Sequence, residues 1–238
     1  MGHSSMIKAL IFDLDSCLAA ANEPGESLFA EAFAAIRSAN NGHVPEEQLR
    51  AAFQDCWRFP FDFIADKYGF SPAMRAAGFA AFSKVEVRQP MHGYGDLAAL
   101  AELPAKLFLV TSGFRRLQES KVRALGIAHL FTDIHIDAIE EPGTKGKLHA
   151  FQAILNTHEL SPQEVLVVGD NPESEIGRQS TGHENHSGSA AGRASFFRSD
   201  PPRLQSERAK TLPLTWCVIT HHFSEPKKRP LQLAARGV

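Results

Sequence analysis

The stretch Ala9-Leu10-Ile11-Phe12-Asp13-Leu14-Asp15-Ser16-Cys17-Leu18 decides how the rest of the chain is read. Its apolar run predicts a short buried strand, and Asp13 and Asp15 fall at or just past the carboxyl end of that strand, where open α/β sheets place their ligands. Residues two apart on an extended strand point the same way, so the pair concentrates negative charge in one crevice. That costs free energy unless a cation or a shared proton compensates, which makes the pair a candidate metal site. Asp after an apolar strand is also ordinary turn chemistry, so the pair alone is a weak signal.

Working outward, the chain divides by pattern. Glu26 to Arg37 is Ala-rich with Phe29, Phe33 and Ile36 at helical spacing. Pro45-Glu46-Glu47 opens a second helix through Leu49 to Trp57, and Ser71-Pro72 opens another through Met74 to Phe82. The aromatic cluster Trp57, Phe59, Phe61, Phe63 and Tyr68 lies between them and reads as core between helices, with an apolar substrate or subunit surface as the alternative. Residues 19–92 thus form a helical block. From Gly95 helix and strand alternate, which predicts a parallel sheet with crossover helices. The expected elements are a short helix at Leu97–Leu103, strands at Lys106–Val110, Phe131–Ile136 and Val165–Val168, and helices at Arg115–Leu125 and Lys147–Asn156. Every one of these strands leads into a polar turn. Four such turns on one sheet edge make a stronger signal than any one of them.

Composition narrows the function. The 238 residues are 43% hydrophobic and 22% charged, enough for a sizeable core, and the net charge of -2 with pI near 6.6 gives no basic field for nucleic acid or an anionic membrane. No apolar run approaches the ~20 residues of a membrane span. Cys17, Cys56 and Cys217 fit neither a disulfide framework nor a zinc knuckle. A cytoplasmic enzyme, monomeric or homodimeric, is the expectation. His92, His129, His135 and His149 share no metal-ligand spacing.

From about Ile7 to Gly177 the chain resembles the haloacid dehalogenase superfamily, in its phosphatase branch with a helical cap. The motifs that carry the resemblance are Asp13-Leu14-Asp15, Thr111 after the second strand, Lys145 in the loop, and Gly169-Asp170 with Glu175. The resemblance implies an α/β fold, a three-layer Rossmann-like parallel sheet core (6–18 and 93–177) with a small all-helical cap (19–92) inserted after the first strand. It implies that Asp13 attacks phosphorus to form an aspartyl-phosphate. Asp15 then protonates the leaving alkoxide and later deprotonates water, and Lys145 balances charge. Lys145 is preferred over Lys147 because Phe151 follows it at the family's spacing. Thr111, Ser112 and Gly113 would hold the phosphoryl group, and Mg²⁺ would be bound by Asp13, the carbonyl of Asp15 and Asp170. Glu175 is either a further metal-site residue or a helix N-terminal acid.

A small phosphorylated metabolite, a sugar phosphate or nucleoside monophosphate, is the implied substrate; Cys17, found in some nucleotidase-like relatives where Thr or Val is usual, leans toward the latter. An acid at Asp15 argues against dehalogenation, since a halide leaves without a proton. A phosphomutase and an inactive phosphate-binding remnant are the alternatives.

Residues 178–238 break the pattern. Where a helix end and another strand are due, 178–210 are rich in Ser, Gly, Arg, His and Pro without apolar periodicity. The degenerate code allows the codons of Gly177 to Ser195, read one base forward, to spell a family-like helix end and strand, so the tail is read as out of frame or disordered. Without an outer strand, the edge of the Val165–Val168 strand is expected to be bare.

Overall fold

The fold comes from a computed structural model that describes residues 6–143 and 146–170 and the backbone of 215–218. Five parallel strands, β1 (Ala9–Phe12), β2 (Lys106–Gly113), β3 (Asp133–Ala138), β4 (Val165–Gly169) and β5 (Thr215–Val218), form one sheet in the order β3-β2-β1-β4-β5. β1 is central, and all four of its residues are buried. It pairs with β2 from Ala9 opposite Lys106 to Phe12 opposite Leu109, and with β4 from Ala9 opposite Val165 to Phe12 opposite Val168.

The strand alternation separates two apolar layers. Leu10, Phe12, Leu107 and Leu109 pack with Val122 of helix α5 (Arg115–Leu125), with Ile127 and Phe131 behind it. Ala9, Ile11, Phe108 and Val110 point the other way, onto Phe151, Ile154 and Leu155 of helix α6 (Lys147–Thr157). A parallel sheet must be covered on both faces, and these two helices do so. α5 stops because Gly126 takes the left-handed φ of 69° that ends a helix without a Cβ penalty.

Between β1 and β2 the described structure is helical: a 3₁₀ turn at Glu26–Phe29, then α1 (Ala30–Ala39), α2 (Glu46–Asp55), α3 (Phe61–Lys67) and α4 (Pro72–Phe82). α4 starts where the sequence says, with Ser71 accepting from the Met74 amide at 3.3 Å and Pro72 in its first turn. α3 was not expected, because its aromatic residues read as filling rather than as a helix face. The block has its own core, in which Phe29 stacks on Trp57 at 4.1 Å and Phe33 on Phe53 at 4.2 Å. Two connections join it to the sheet and are tied together. The Glu23 carboxylate accepts from the amides of His92 and Gly93, and the Gln89 side chain donates to the Pro24 carbonyl.

Three details differ from the sequence reading. β2 continues through Thr111-Ser112-Gly113, because β3 pairs with it as far as Gly113 opposite Ala138. β3 begins two residues later than expected. Thr215–Val218 pairs in parallel with β4, so the edge expected to be bare is covered. The segment 178–212, on which the frame argument rests, lies outside the described residues. No helix among the described residues is long and apolar enough to cross a membrane.

Candidate active site

The carboxyl ends of β1, β2 and β4 bring the candidate residues together. Asp13 leaves β1 with its amide still bonded to the Val168 carbonyl at 2.9 Å, which fixes it against the end of β4. The chain then turns tightly: Leu18 bonds back to Leu14 at 2.9 Å, and Ser16, at φ 60°, donates its amide to Ala19 at 2.7 Å. The turn holds Asp13 and Asp15 in place rather than letting the chain continue as a strand. The thiol of Cys17 lies 3.5 Å from the Val168 carbonyl, a second tie between this turn and β4.

Asp13 is buried at 7% exposure and lies 2.8 Å from the ammonium of Lys147, itself only 4% exposed. A buried carboxylate needs such a partner, since an isolated buried charge would be prohibitively costly. Lys147 is the first residue of α6, and Gly146 before it has φ 78° and donates its amide to Asp137 Oδ1 at 3.0 Å. Asp137, at the end of β3, also accepts from Ser112 Oγ at 3.2 Å. One carboxylate therefore locks the start of α6, and with it Lys147, to the end of β2. Lys145 lies outside the described residues, and Lys147, ranked second from the sequence, is the lysine on Asp13.

Asp15 has different partners. Lys121 of α5 meets its Oδ1 at 2.6 Å, and the Gln118 amide meets its Oδ2 at 3.0 Å. Neither was singled out from the sequence, although Gln118 and Lys121 are polar positions three apart on the face of α5 that buries Leu117 and Val122. Thr111 is buried at 1% exposure at the end of β2, next to Ser112 and Gly113.

Asp170 follows β4 and is exposed. The protein packed round it and, next, the Asp13 carboxylate push its carboxyl above the usual range, with Lys147 opposing. A carboxyl raised by a neighbouring carboxylate suits a divalent cation with oxygen ligands. No cluster of three His, Cys, Asp or Glu side chains stands ready for a metal among the described residues. Of the four residues the sequence offered for a metal, Asp13, Asp15 and Asp170 are described, and Glu175 lies outside the described residues. Tyr94 is a further neighbour the sequence reading passed over: burial first, then Asp170, pushes its phenol upward, and its amide bonds to the Leu18 carbonyl at 2.9 Å.

Comparison with known proteins gives the family. A family model described as haloacid dehalogenase-like hydrolase matches residues 7–177. A glyceraldehyde 3-phosphate phosphatase of Methanopyrus kandleri is 28% identical over 188 residues, covering 72% of this chain and 78% of that protein. Among solved structures, a putative phosphoglycolate phosphatase of Lactobacillus plantarum matches with TM-score 0.48 at 19% identity, covering 71% of this chain and 80% of that one. A haloacid dehalogenase-like family hydrolase of Xanthomonas campestris matches with TM-score 0.41 at 17% identity, covering 71% and 77%. With the family model spanning all the strand ends that build the site, the chain belongs to the haloacid dehalogenase-like hydrolases.

Proposed function

We propose that this hydrolase, a phosphatase of its family, cleaves small phosphate monoesters through an aspartyl-phosphate on Asp13 and depends on Mg²⁺. The observation that carries the reading is the division of Asp13 and Asp15 between two buried lysines, Lys147 and Lys121. Neighbouring carboxylates in different surroundings can take different chemical roles.

In this reading an Asp13 oxygen forms a bond to phosphorus as the bond to the alkoxide breaks, and Asp15 gives the alkoxide its proton. Asp15 then takes a proton from water, whose oxygen attacks phosphorus and frees Asp13 and phosphate. A carboxylate needs no base to make it a nucleophile; it needs relief from repulsion by the incoming anion. Lys147 supplies part of that relief, and Thr111, Ser112 and the backbone of Gly113 hold phosphoryl oxygens. Asp13, the Asp15 carbonyl and Asp170, with Glu175 of the sequence motif, are the residues that would hold Mg²⁺, which would add the remaining positive charge. The helical block over 19–92 serves as the cap that selects the leaving group. The named activity of the Methanopyrus kandleri relative makes a triose phosphate the first substrate to try.

The test is release of inorganic phosphate by the purified protein from a panel of sugar phosphates, triose phosphates and nucleoside monophosphates, with Mg²⁺ or with chelator. Magnesium-dependent turnover is expected, and Asp13→Asn should abolish it while leaving the fold intact. Isomerised sugar phosphate without free phosphate would indicate a mutase. No turnover of any ester would indicate a remnant that only binds phosphate. Retention by Asp13→Asn of more than about a few per cent of the activity would remove Asp13 from the nucleophile's role.

A further inference from the structure

We propose that Gln118 and Lys121 are positioning residues for Asp15, and that position 113 is glycine to admit the Gln118 amide; this rests on the phosphatase reading above. The two side chains stand one helical turn apart on α5, and both are 3% exposed. Lys121 Nζ meets Asp15 Oδ1 at 2.6 Å, and Gln118 Nε2 meets Asp15 Oδ2 at 3.0 Å and the Ser112 carbonyl at 3.1 Å. Each oxygen of Asp15 therefore has its own donor. Two donors on two oxygens fix both the place and the plane of a carboxyl group, which one contact cannot do. Gln118 also ties the end of β2, where the phosphoryl group would sit, to the acid that must reach the leaving oxygen.

Stability alone would not choose these residues. Burying an ammonium is costly even when it is paired, and Gln118 Oε1 is buried with no hydrogen-bond partner among the described residues. An apolar residue at 118, or an apolar residue at 121 together with a neutral one at 15, would pack the same face without those costs. What the polar pair supplies is geometry.

Gly113 gives independent support. A Cβ there would lie 2.6 Å from Gln118 Nε2 and 3.3 Å from its Cδ and Cγ, and the backbone φ is 149°. Any side chain at 113 would meet the Gln118 amide at the point where it reaches Asp15 and Ser112. The sequence reading gave Gly113 to phosphate binding; its lack of a side chain also lets the acid be held.

A misaimed Asp15 slows phosphoryl transfer to Asp13 only where the leaving group needs its proton, whereas the later attack of water is common to both esters; kcat/KM, which reports the steps up to that transfer, isolates the first. The experiment compares an alkyl phosphate with p-nitrophenyl phosphate at saturating Mg²⁺, using Lys121→Met and Gln118→Leu. Each variant should lose about a hundredfold in kcat/KM on the alkyl ester and less than about threefold on the aryl ester, because general acid catalysis is worth ~10²–10⁴-fold only where the leaving group is basic. Lys121→Arg should recover part of the alkyl activity. Should Lys121→Met fail to fold with Asp15 unpaired, the double variant Asp15→Asn with Lys121→Met removes both charges and should match Asp15→Asn alone on both esters. Equal losses of kcat/KM on the two esters, or a further alkyl-selective loss in the double variant, would overturn the positioning role while leaving the phosphatase reading intact. If the wild-type protein releases phosphate from neither ester, the phosphatase reading itself falls, and this assignment with it.

Discussion

Lys147 and Phe151 are four residues apart in α6, so they share a face, and both are buried, at 4% and 0% exposure. The spacing that favoured Lys145 counted along the chain from Phe151, but α6 begins only at Lys147, after Gly146. On a helix the residue that lies over the same surface as Phe151 is the one a turn earlier, which is Lys147. Lys147→Met should therefore lower kcat by about 10²–10³-fold, the usual loss when one donor to developing charge is removed. Lys145→Met should do much less. Steady-state kinetics on one good ester would decide; the opposite ranking would return the role to Lys145. Asp13, Asp15, Asp170 and the 111–113 run were legible because each ends an apolar strand, a signal local in sequence. Gln118 and Lys121 were not, because a polar residue on a buried helix face acquires a meaning only when its distant partner is known. Asp15 is 106 positions from Lys121.

At the scale of elements, periodicity located α5 to the residue, since its apolar face and its terminal glycine agree. It missed α3, where aromatic residues crowd more than one face, and it started β3 early because Phe131 is buried without belonging to the strand. The entry to β4 shows how a charged residue can fix register. Glu164 closes a capping box with Ser161, pairs with Lys8 at 2.5 Å, and accepts the Lys8 amide on its carbonyl at 2.8 Å, so the starts of β1 and β4 are joined. The Lys8 ammonium first, and the Ser161 amide next, hold its carboxyl down at about 2 against an ordinary 4.5. A carboxyl depressed in the folded state contributes stability that is fully present above its unfolded value and is lost as pH falls through the folded one. Glu164→Gln should thus lower the urea midpoint at neutral pH. The gap to wild type should then narrow as pH falls from 4.5 toward 2, over whatever part of that range the fold persists. A gap independent of pH would show that the charge of Glu164 contributes nothing.

For the whole molecule, alternation of helix and strand from Gly95 was enough to predict the parallel sheet. How the helical block meets the sheet was not legible, because that contact runs through Phe114 and through Leu117, Ser120 and Arg116 of α5, whose partners lie far off in the chain. Phe114, between β2 and α5, is 3% exposed and belongs to the block's aromatic core rather than to either layer of the sheet. Its ring stacks on Phe82 at 5.4 Å, meets Phe79 edge-on at 5.7 Å, and lies 6.4 Å from Phe61. It directly follows Thr111-Ser112-Gly113, so the end of β2 and the block are mechanically joined. Truncating a buried Phe to Ala costs about 3–5 kcal/mol, a large part of the ~5–15 kcal/mol that holds a protein folded. In Phe114→Ala that loss falls on the junction, so the block and the sheet should unfold at separate denaturant concentrations. The urea transition followed by Trp57, which stacks inside the block, would then part from that followed by far-ultraviolet circular dichroism, in a Trp216→Phe background where Trp57 alone reports. Wild type should show the two probes coinciding, as one cooperative unit requires. If the variant is merely less stable, with both probes still superimposed, then the block is held to the sheet by its tied connections and its α5 contacts and not by Phe114.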